Sequence, residues 1–250
     1  MHLILTGATG LVGSAALNHI LSLPPGQISR LSILSRKPVP IPKNRPEITV
    51  INHQDFNEYS PELLSTLKPA DGCIWALGIS QTQASKDEYI KITKDYPLAA
   101  AKAFSQLSAD SFNFVYVSGE GATQSPGIWT PFFGRVKGEC ESALIDLSST
   151  SPSLKPYSVR PGFVDAAGDP QTLASVRMRP GYSSFGNQVL LRTLGPVARQ
   201  FYAEGVSPTK ELGRFLTELA SGNGRPLAGE GVGGGGWIVS NRAFREAVGL

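Results

Sequence analysis

The stretch that most constrains this chain is its opening, Met1 to Gly13 (MHLILTGATGLVG), a short apolar run followed by three glycines spaced three apart. Leu3 to Leu5 suits a buried parallel strand, and Gly7, Gly10 and Gly13 fall where that strand must turn sharply into a helix. A glycine has no Cβ, so the backbone there can approach an anion closely, while the helix that follows aims free N–H groups and its positive dipole end at the same point. The pattern is that of a pyrophosphate cradle, with Thr9, Leu11 and Val12 beside the glycines. Three glycines alone are a weak signal in a chain that holds 27 of them. The strand before them and the helical period of Leu11 to Leu23 after them carry the reading, against the alternative of a structural glycine turn.

Further along, apolar runs at Ile28 to Leu34, Ile48 to Asn52, Gly72 to Leu77, Phe112 to Val117 and Leu154 to Val159 read as buried strands. Between them, Pro61 to Leu67, Ser85 to Leu107 and Phe133 to Leu147 have helical spacing, the second with a bend expected at Pro97. Strand and helix alternate, which predicts an α/β chain: a doubly wound Rossmann-type parallel sheet. After Phe163 the rhythm changes. Gln188 to Tyr202 looks helical, Ser207-Pro208 reads as N-cap and first turn of a helix over Thr209 to Ala220, and Ser221 to Gly236 reads as a flexible glycine-rich loop. Trp237 to Val239 suits a short strand and Phe244 to Val248 a last helical turn. The expectation is a single domain, residues 1–165 forming the cofactor-binding core and 166–250 a small C-terminal substrate-side lobe with the closing elements.

A formal charge of +3 with 17% charged residues, and no Lys/Arg run longer than two, gives no nucleic-acid surface, whereas a small anionic ligand fits. Cys73 and Cys140 lie far apart with no Cys/His cluster, so neither a metal site nor a disulfide framework is expected, and a reducing, cytoplasmic setting is. No segment reaches the ~20 apolar residues of a membrane span.

In a doubly wound sheet the ligand lies across the carboxyl ends of the strands, so the residues there are informative. An acidic residue after the second strand would hold the ribose hydroxyls of NAD; this chain has Ser35, Arg36 and Lys37 instead. Arg36 can present paired donors to a phosphate and Lys37 a point charge, which predicts NADP(H), the alternative being a solvated basic turn. Asp55-Phe56 after the third strand is placed beside the adenine, and Ala76-Leu77-Gly78 along the middle of the cofactor.

Taken together, TGATGLVG at 6–13, ALG at 76–78, VSGEGA at 117–122, VKGE at 136–139 and RPG at 160–162 resemble the extended and atypical short-chain dehydrogenase/reductases. The resemblance is greatest to the Tat-interacting oxidoreductase-like group, with NmrA-like proteins more distant. It implies a nicotinamide cofactor, usually hydride transfer, and Pro161, Gly162 and Phe163 beside the cofactor. It also implies a Tyr, a Lys four residues later and a Ser. Lys137 fills the Lys position near the nicotinamide ribose, but Phe133 stands where the Tyr belongs, and Ser118-Gly119 stands where relatives carry two serines. Ser118 is then either the catalytic hydroxyl or a strand-end residue beside a catalytic place occupied by Gly119.

Losing the proton relay removes general acid–base catalysis worth roughly 10²–10⁴-fold. Three readings follow: a reductase or isomerase with another acid, drawn from Glu120, Lys137, Tyr89, Tyr182 or Tyr202; a cofactor-dependent sensor that binds a protein partner without turnover; or a non-redox cyclase or isomerase with the nucleotide as scaffold. Trp129, Phe132 and Phe133 form an aromatic group that either walls a pocket for a small apolar or aromatic substrate or packs the helix entry. Arg177, Arg179 and Arg192 either meet an acidic substrate or are solvated. Trp75 and the three histidines, His2, His19 and His53, read as packing residues.

Overall fold

A computed structural model of the protein describes residues 1–177 and 202–250. Gln188 to Phe201, with Tyr182, Arg179 and Arg192, lie outside the described residues. The elements in chain order are β1 (His2–Thr6), α1 (Leu11–Ser22), β2 (Arg30–Ser35), β3 (Ile48–Asn52), α2 (Pro61–Leu67), β4 (Gly72–Trp75) and α3 (Lys86–Ile90). Then come α4 (Tyr96–Phe104), β5 (Phe112–Val117), α5 (Phe132–Thr150), β6 (Leu154–Val159), β7 (Phe163–Asp165) and α6 (Pro170–Arg177). The chain closes with β8 (Val206–Pro208), α7 (Thr209–Ala220), β9 (Val232–Gly233), β10 (Ile238–Val239) and α8 (Asn241–Val248).

Among the described residues eight strands form one sheet in the order β3-β2-β1-β4-β5-β6-β10-β9, parallel except for β9, and β7 pairs with β8 in a small second sheet. The order reverses at β1, whose neighbours are β2 on one side and β4 on the other. Strand alternation sends Leu3 and Leu5 to one face and Ile4 to the other. The first face joins Ile33, Val115 and Tyr157 to Ala16 and Ile20 of α1 and to Leu212 and Leu216 of α7. The second joins Leu34, Phe114 and Tyr116 to Leu67 of α2, Phe104 of α4 and Leu144 of α5. Both faces are covered by helices, as all-parallel pairing demands.

Three expectations change in detail. The run over Ser85 to Leu107 is not one uniform helix: Lys91–Asp95 is a π-helical turn between α3 and α4. Pro97 has no N–H to give the carbonyl of Thr93, and the Tyr116 hydroxyl donates to that carbonyl instead, at 2.9 Å. Ser207 does not cap the helix after it. It lies in β8, its Oγ donating to Asn241 Oδ1 at 2.6 Å and accepting from the Gly162 N–H at 2.9 Å. The expected loop over Ser221 to Gly236 ends in order, Val232–Gly233 pairing antiparallel with β10. Residues after 165 therefore divide: α7, β9, β10 and α8 complete the main sheet and its helical layer, while β8 lies apart, paired with β7.

Helix α7 crosses α1 closely because both present small residues; a Cβ on Gly213 would meet the carbonyl of Ala15 at 2.5 Å. Gly213→Ala should therefore cost about 1–3 kcal/mol of stability through forced separation of the helices. Gly168→Ala, which meets nothing within 4 Å, should change stability by less than about 0.5 kcal/mol. Urea unfolding midpoints of the two variants check both.

Candidate functional site

At the carboxyl ends of β1, β4, β5 and β6 lies a cleft of about 780 Å³, lined by Gly10, Leu11 and Val12, by 76–80, by 117–121, and by Lys137, Pro161, Gly162, Val164 and Tyr202. The glycine turn shapes its floor. Gly7 has φ +68°, and a Cβ there would collide with the backbone of Ala76. The Gly10 N–H closes the turn on the Gly7 carbonyl at 2.6 Å. Gly13 has a packing role, since a Cβ on it would strike the same Gly7 carbonyl. Helix α1 begins at this turn with no side-chain cap and no acidic residue in its first turn, so its positive end faces the cleft uncompensated.

A recess of about 110 Å³ adjoins the cleft at Leu77 and is lined by Gly7, Thr9, Leu34, Ser35, Arg36, Lys37 and Phe56. The Ser35 hydroxyl accepts the Lys37 N–H at 3.1 Å and donates to the Lys37 carbonyl at 2.7 Å, folding the strand end so that both cations flank the recess. Phe56 is buried behind it, edge-on to His53 and Trp75. Its neighbour Asp55 goes elsewhere. Asp55 is exposed, accepts the Asn57 N–H at 2.9 Å and lines a separate cavity with His53 and Tyr59.

Lys137 comes up from α5 beneath the β5 strand end, where its Nζ donates to the Ser118 carbonyl. Burial pulls the ammonium down to about 8, opposed by the charge of Glu141 one turn along the helix. A Cβ on Gly119 would stand 3.3 Å from that nitrogen, so glycine here leaves the amine open. Ser118 lines the cleft. Its hydroxyl donates to the buried Glu141 Oε1 at 2.6 Å. Phe133 lies under Gly121, to which a Cβ would bring it within 3.2 Å, and has no hydroxyl to offer.

The aromatic wall does not form. Trp129 is 94% exposed, on a loop that Arg135 clamps through the carbonyls of Gly127 and Thr130. Phe132 packs on Tyr89 and under the Lys86 ammonium. None of the three aromatics lines the cleft: Trp129 is in solvent, Phe132 lies against α3 and Phe133 under Gly121. Tyr89 is buried outside the cleft, and burial raises its phenol. Phe163 also misses it: residues alternate along β7, and Val164 is the one that faces the cleft. Glu120 and Tyr202 remain. Both line the cleft and an adjoining annex of about 770 Å³ bounded by Glu204, Glu230, Arg242, Arg245 and Glu246.

Two residues of the site were not singled out from sequence. Glu141 is fully buried, and Arg160 binds it through Nε at 2.9 Å and Nη2 at 2.5 Å. The available signal was the spacing: Glu141 follows Lys137 by four on α5, and Arg160 opens the RPG. The histidines have packing roles, as read; His2 bonds the Pro69 carbonyl and Ser32 Oγ at 2.8 and 2.9 Å, and burial lowers its basicity. Among the described residues no three His, Cys, Asp or Glu gather as a metal site would require, and no helix is long and apolar enough to cross a membrane.

This sheet order and covering define the Rossmann-type fold of the short-chain dehydrogenase/reductases. The PhqB reductase domain from Penicillium fellutanum superposes with TM-score 0.63 at 17% identity, over 96% of this chain and 66% of that one. WbmF of Bordetella bronchiseptica, solved with NAD+, gives 0.63 at 13% identity over 99% and 78%. A short-chain dehydrogenase/reductase from Burkholderia thailandensis gives 0.61 at 13% identity over 98% and 92%. No protein-family profile matches the chain. The leucinostatins biosynthesis cluster protein T of Purpureocillium lilacinum is 32% identical over 246 residues, 91% of this chain and 87% of that protein. The botcinic acid biosynthesis cluster B protein 16 of Botryotinia fuckeliana is 44% identical over 164 residues, 61% of this chain and 98% of that protein. The chain belongs to the family of these two biosynthesis-cluster proteins.

Trp129→Ser tests the placement of the aromatic loop. The variant should keep its unfolding free energy within about 0.5 kcal/mol of the parent's in urea titration, as an exposed substitution does, whereas a wall residue packed against the cleft would lose several times more.

Proposed function

We propose that this protein is an NADP(H)-dependent reductase or isomerase of the short-chain dehydrogenase/reductase type, acting on a small intermediate of a biosynthetic pathway. The observation that carries the reading is the Lys137 amine, held at the cleft floor by the Ser118 carbonyl and left open by Gly119, in one continuous cleft with the uncapped start of α1. The residues fit a nicotinamide dinucleotide. The first turn of α1 would take the pyrophosphate, Arg36 and Lys37 a 2′-phosphate in the recess, and Lys137 the nicotinamide ribose. Such a group, when bound, supplies hydride chemistry; WbmF, of the same fold, is solved with NAD+.

With Phe133 lacking a phenol and the Ser118 hydroxyl committed to Glu141, the proton must come from a group that lines the cleft. Lys137 takes that role in this reading: its ammonium, close to neutral poise, both holds the ribose and gives a proton to an oxygen that becomes negative beside it. Glu120 and Tyr202, at the mouth, can return the proton from solvent. The annex they share is polar, so the substrate that suits it is polar rather than the aromatic one expected from the Trp129 group. The two relatives named for biosynthetic clusters support a role in secondary metabolism. A second reading has one observation in its favour: the same loss of phenol and serine hydroxyl suits a dinucleotide-dependent sensor that binds without turnover.

Calorimetric titration with NADPH and NADH tests the cofactor. Arg36→Ala should weaken NADPH about tenfold, the value of a charge-assisted hydrogen bond, and leave NADH nearly unchanged; equal loss for both would end the NADP(H) assignment. The Lys137 ammonium is present below its value of about 8 and lost above it, so affinity should fall as pH rises through that region. Lys137→Arg should flatten the profile. NADPH oxidation in the presence of polar carbonyl compounds, followed at 340 nm, separates the two readings, and Phe133→Tyr should raise the rate of a reductase while leaving a sensor silent.

A further inference from the structure

Beneath the cleft lies a buried charged network that the reading above does not use. Glu141 has no exposed surface, yet it is a carboxylate with three donors on its two oxygens: Ser118 Oγ at 2.6 Å, Arg160 Nε at 2.9 Å and Arg160 Nη2 at 2.5 Å. Those donors come from the ends of β5 and β6. The same ends are tied through the backbone, the Ser118 N–H to the Val159 carbonyl and the Glu120 N–H to the Pro161 carbonyl, both at 2.8 Å. Ser118 thus faces two ways: its hydroxyl goes to Glu141 and its carbonyl takes Lys137 Nζ. Burying a carboxylate is costly, and a buried ion pair is weak evidence of added stability.

We propose that Glu141 is a positioning residue, which locks the β5 and β6 ends of the cleft together and keeps Lys137 in its ammonium form. This rests on the reading of Lys137 as the working cation of the cleft. The charge balance around Lys137 is short. Glu141 and Cys140 face it from α5, with Tyr116 of β5 hydrogen-bonded near Cys140; burial keeps that thiol and that phenol neutral. Arg160 sits behind Glu141 at the end of β6, Glu120 and Tyr202 stand at the mouth, and Lys94 is drawn off at the surface by Glu139 at 2.8 Å. Glu141 is therefore the one anion buried with the Lys137 amine among the described residues, and Arg160 is the cation that moderates it.

The two charges predict opposite effects, which a merely structural role would not. In lysine ¹³Cε-labelled protein without dinucleotide, with the Lys137 signal assigned by its loss in Lys137→Arg, the titration midpoint should lie at about 8. Glu141→Gln should move it down by roughly one pH unit or more, the effect of losing a nearby opposite charge. Arg160→Gln should move it up, because Glu141 is then unopposed. Ser118→Ala, which alters no charge, should leave it in place. If Glu141→Gln does not fold, Arg160→Gln and the paired Glu141→Gln/Arg160→Gln variant carry the test; the pair removes the ion pair behind Lys137 as a unit, and its midpoint should lie below that of Arg160→Gln. Midpoints that stay at the parent value in every folded charge variant would overturn the proposal. Dinucleotide titration of the parent protein is scored separately, so failure to bind would remove the cofactor reading without touching this result.

Discussion

The approach of one backbone to another at the start of α1 governs the rest of the structure. β1 sits at the point where the strand order reverses, and its loop must pass over the end of β4 before turning into a helix. Gly7 makes the passage with a positive φ and no side chain, against the carbonyl of Ala76, while Thr6 Oγ1 takes the Leu77 N–H at 3.3 Å. Any side chain at residue 7 would push the two strand ends apart, and with them the helix whose N-terminus faces the opening. The cleft exists because this crossing is tight.

What the crossing creates on the nucleotide side, α5 completes on the other. Lys137 and Glu141 are one turn apart on that helix, one opening to the cleft and the other sealed beneath it. Between them stands the Ser118-Gly119 pair, and its departure from the family pattern acquires a physical sense. A side chain at 119 would crowd the Lys137 amine, whereas glycine leaves it open. The hydroxyl that remains, on Ser118, strengthens the network below instead of acting above it. Burial lowers the Lys137 ammonium to about 8 at the same place.

The fold was legible because its signals are local and periodic. The strands at Phe112 to Val117 and Leu154 to Val159, and the helix at Pro61 to Leu67, read off the sequence as they stand in the structure. The readings that changed share a cause, a distant partner outbidding a local preference. Ser207 is a good N-cap by type, but Gly162 and Asn241 claim its hydroxyl from two other parts of the chain. The turn at Lys91–Asp95 widens because Tyr116, on another strand, takes the carbonyl that Pro97 leaves free.

For the site the division is similar. The sequence by itself determined the glycine turn, the basic pair at Arg36 and Lys37, the presence of Lys137 and the absence of its tyrosine, since each depends on what a residue type at a fixed spacing can do. Tertiary structure alone decided where side chains point: Trp129 into solvent, Asp55 into another cavity, Val164 rather than Phe163 into the cleft, Ser118 Oγ onto Glu141. It also joined Glu141 to Arg160, which no spacing connects. Orientation and long-range pairing depend on which surfaces meet after the chain has folded, and a linear order of residues carries that information only through the packing it produces.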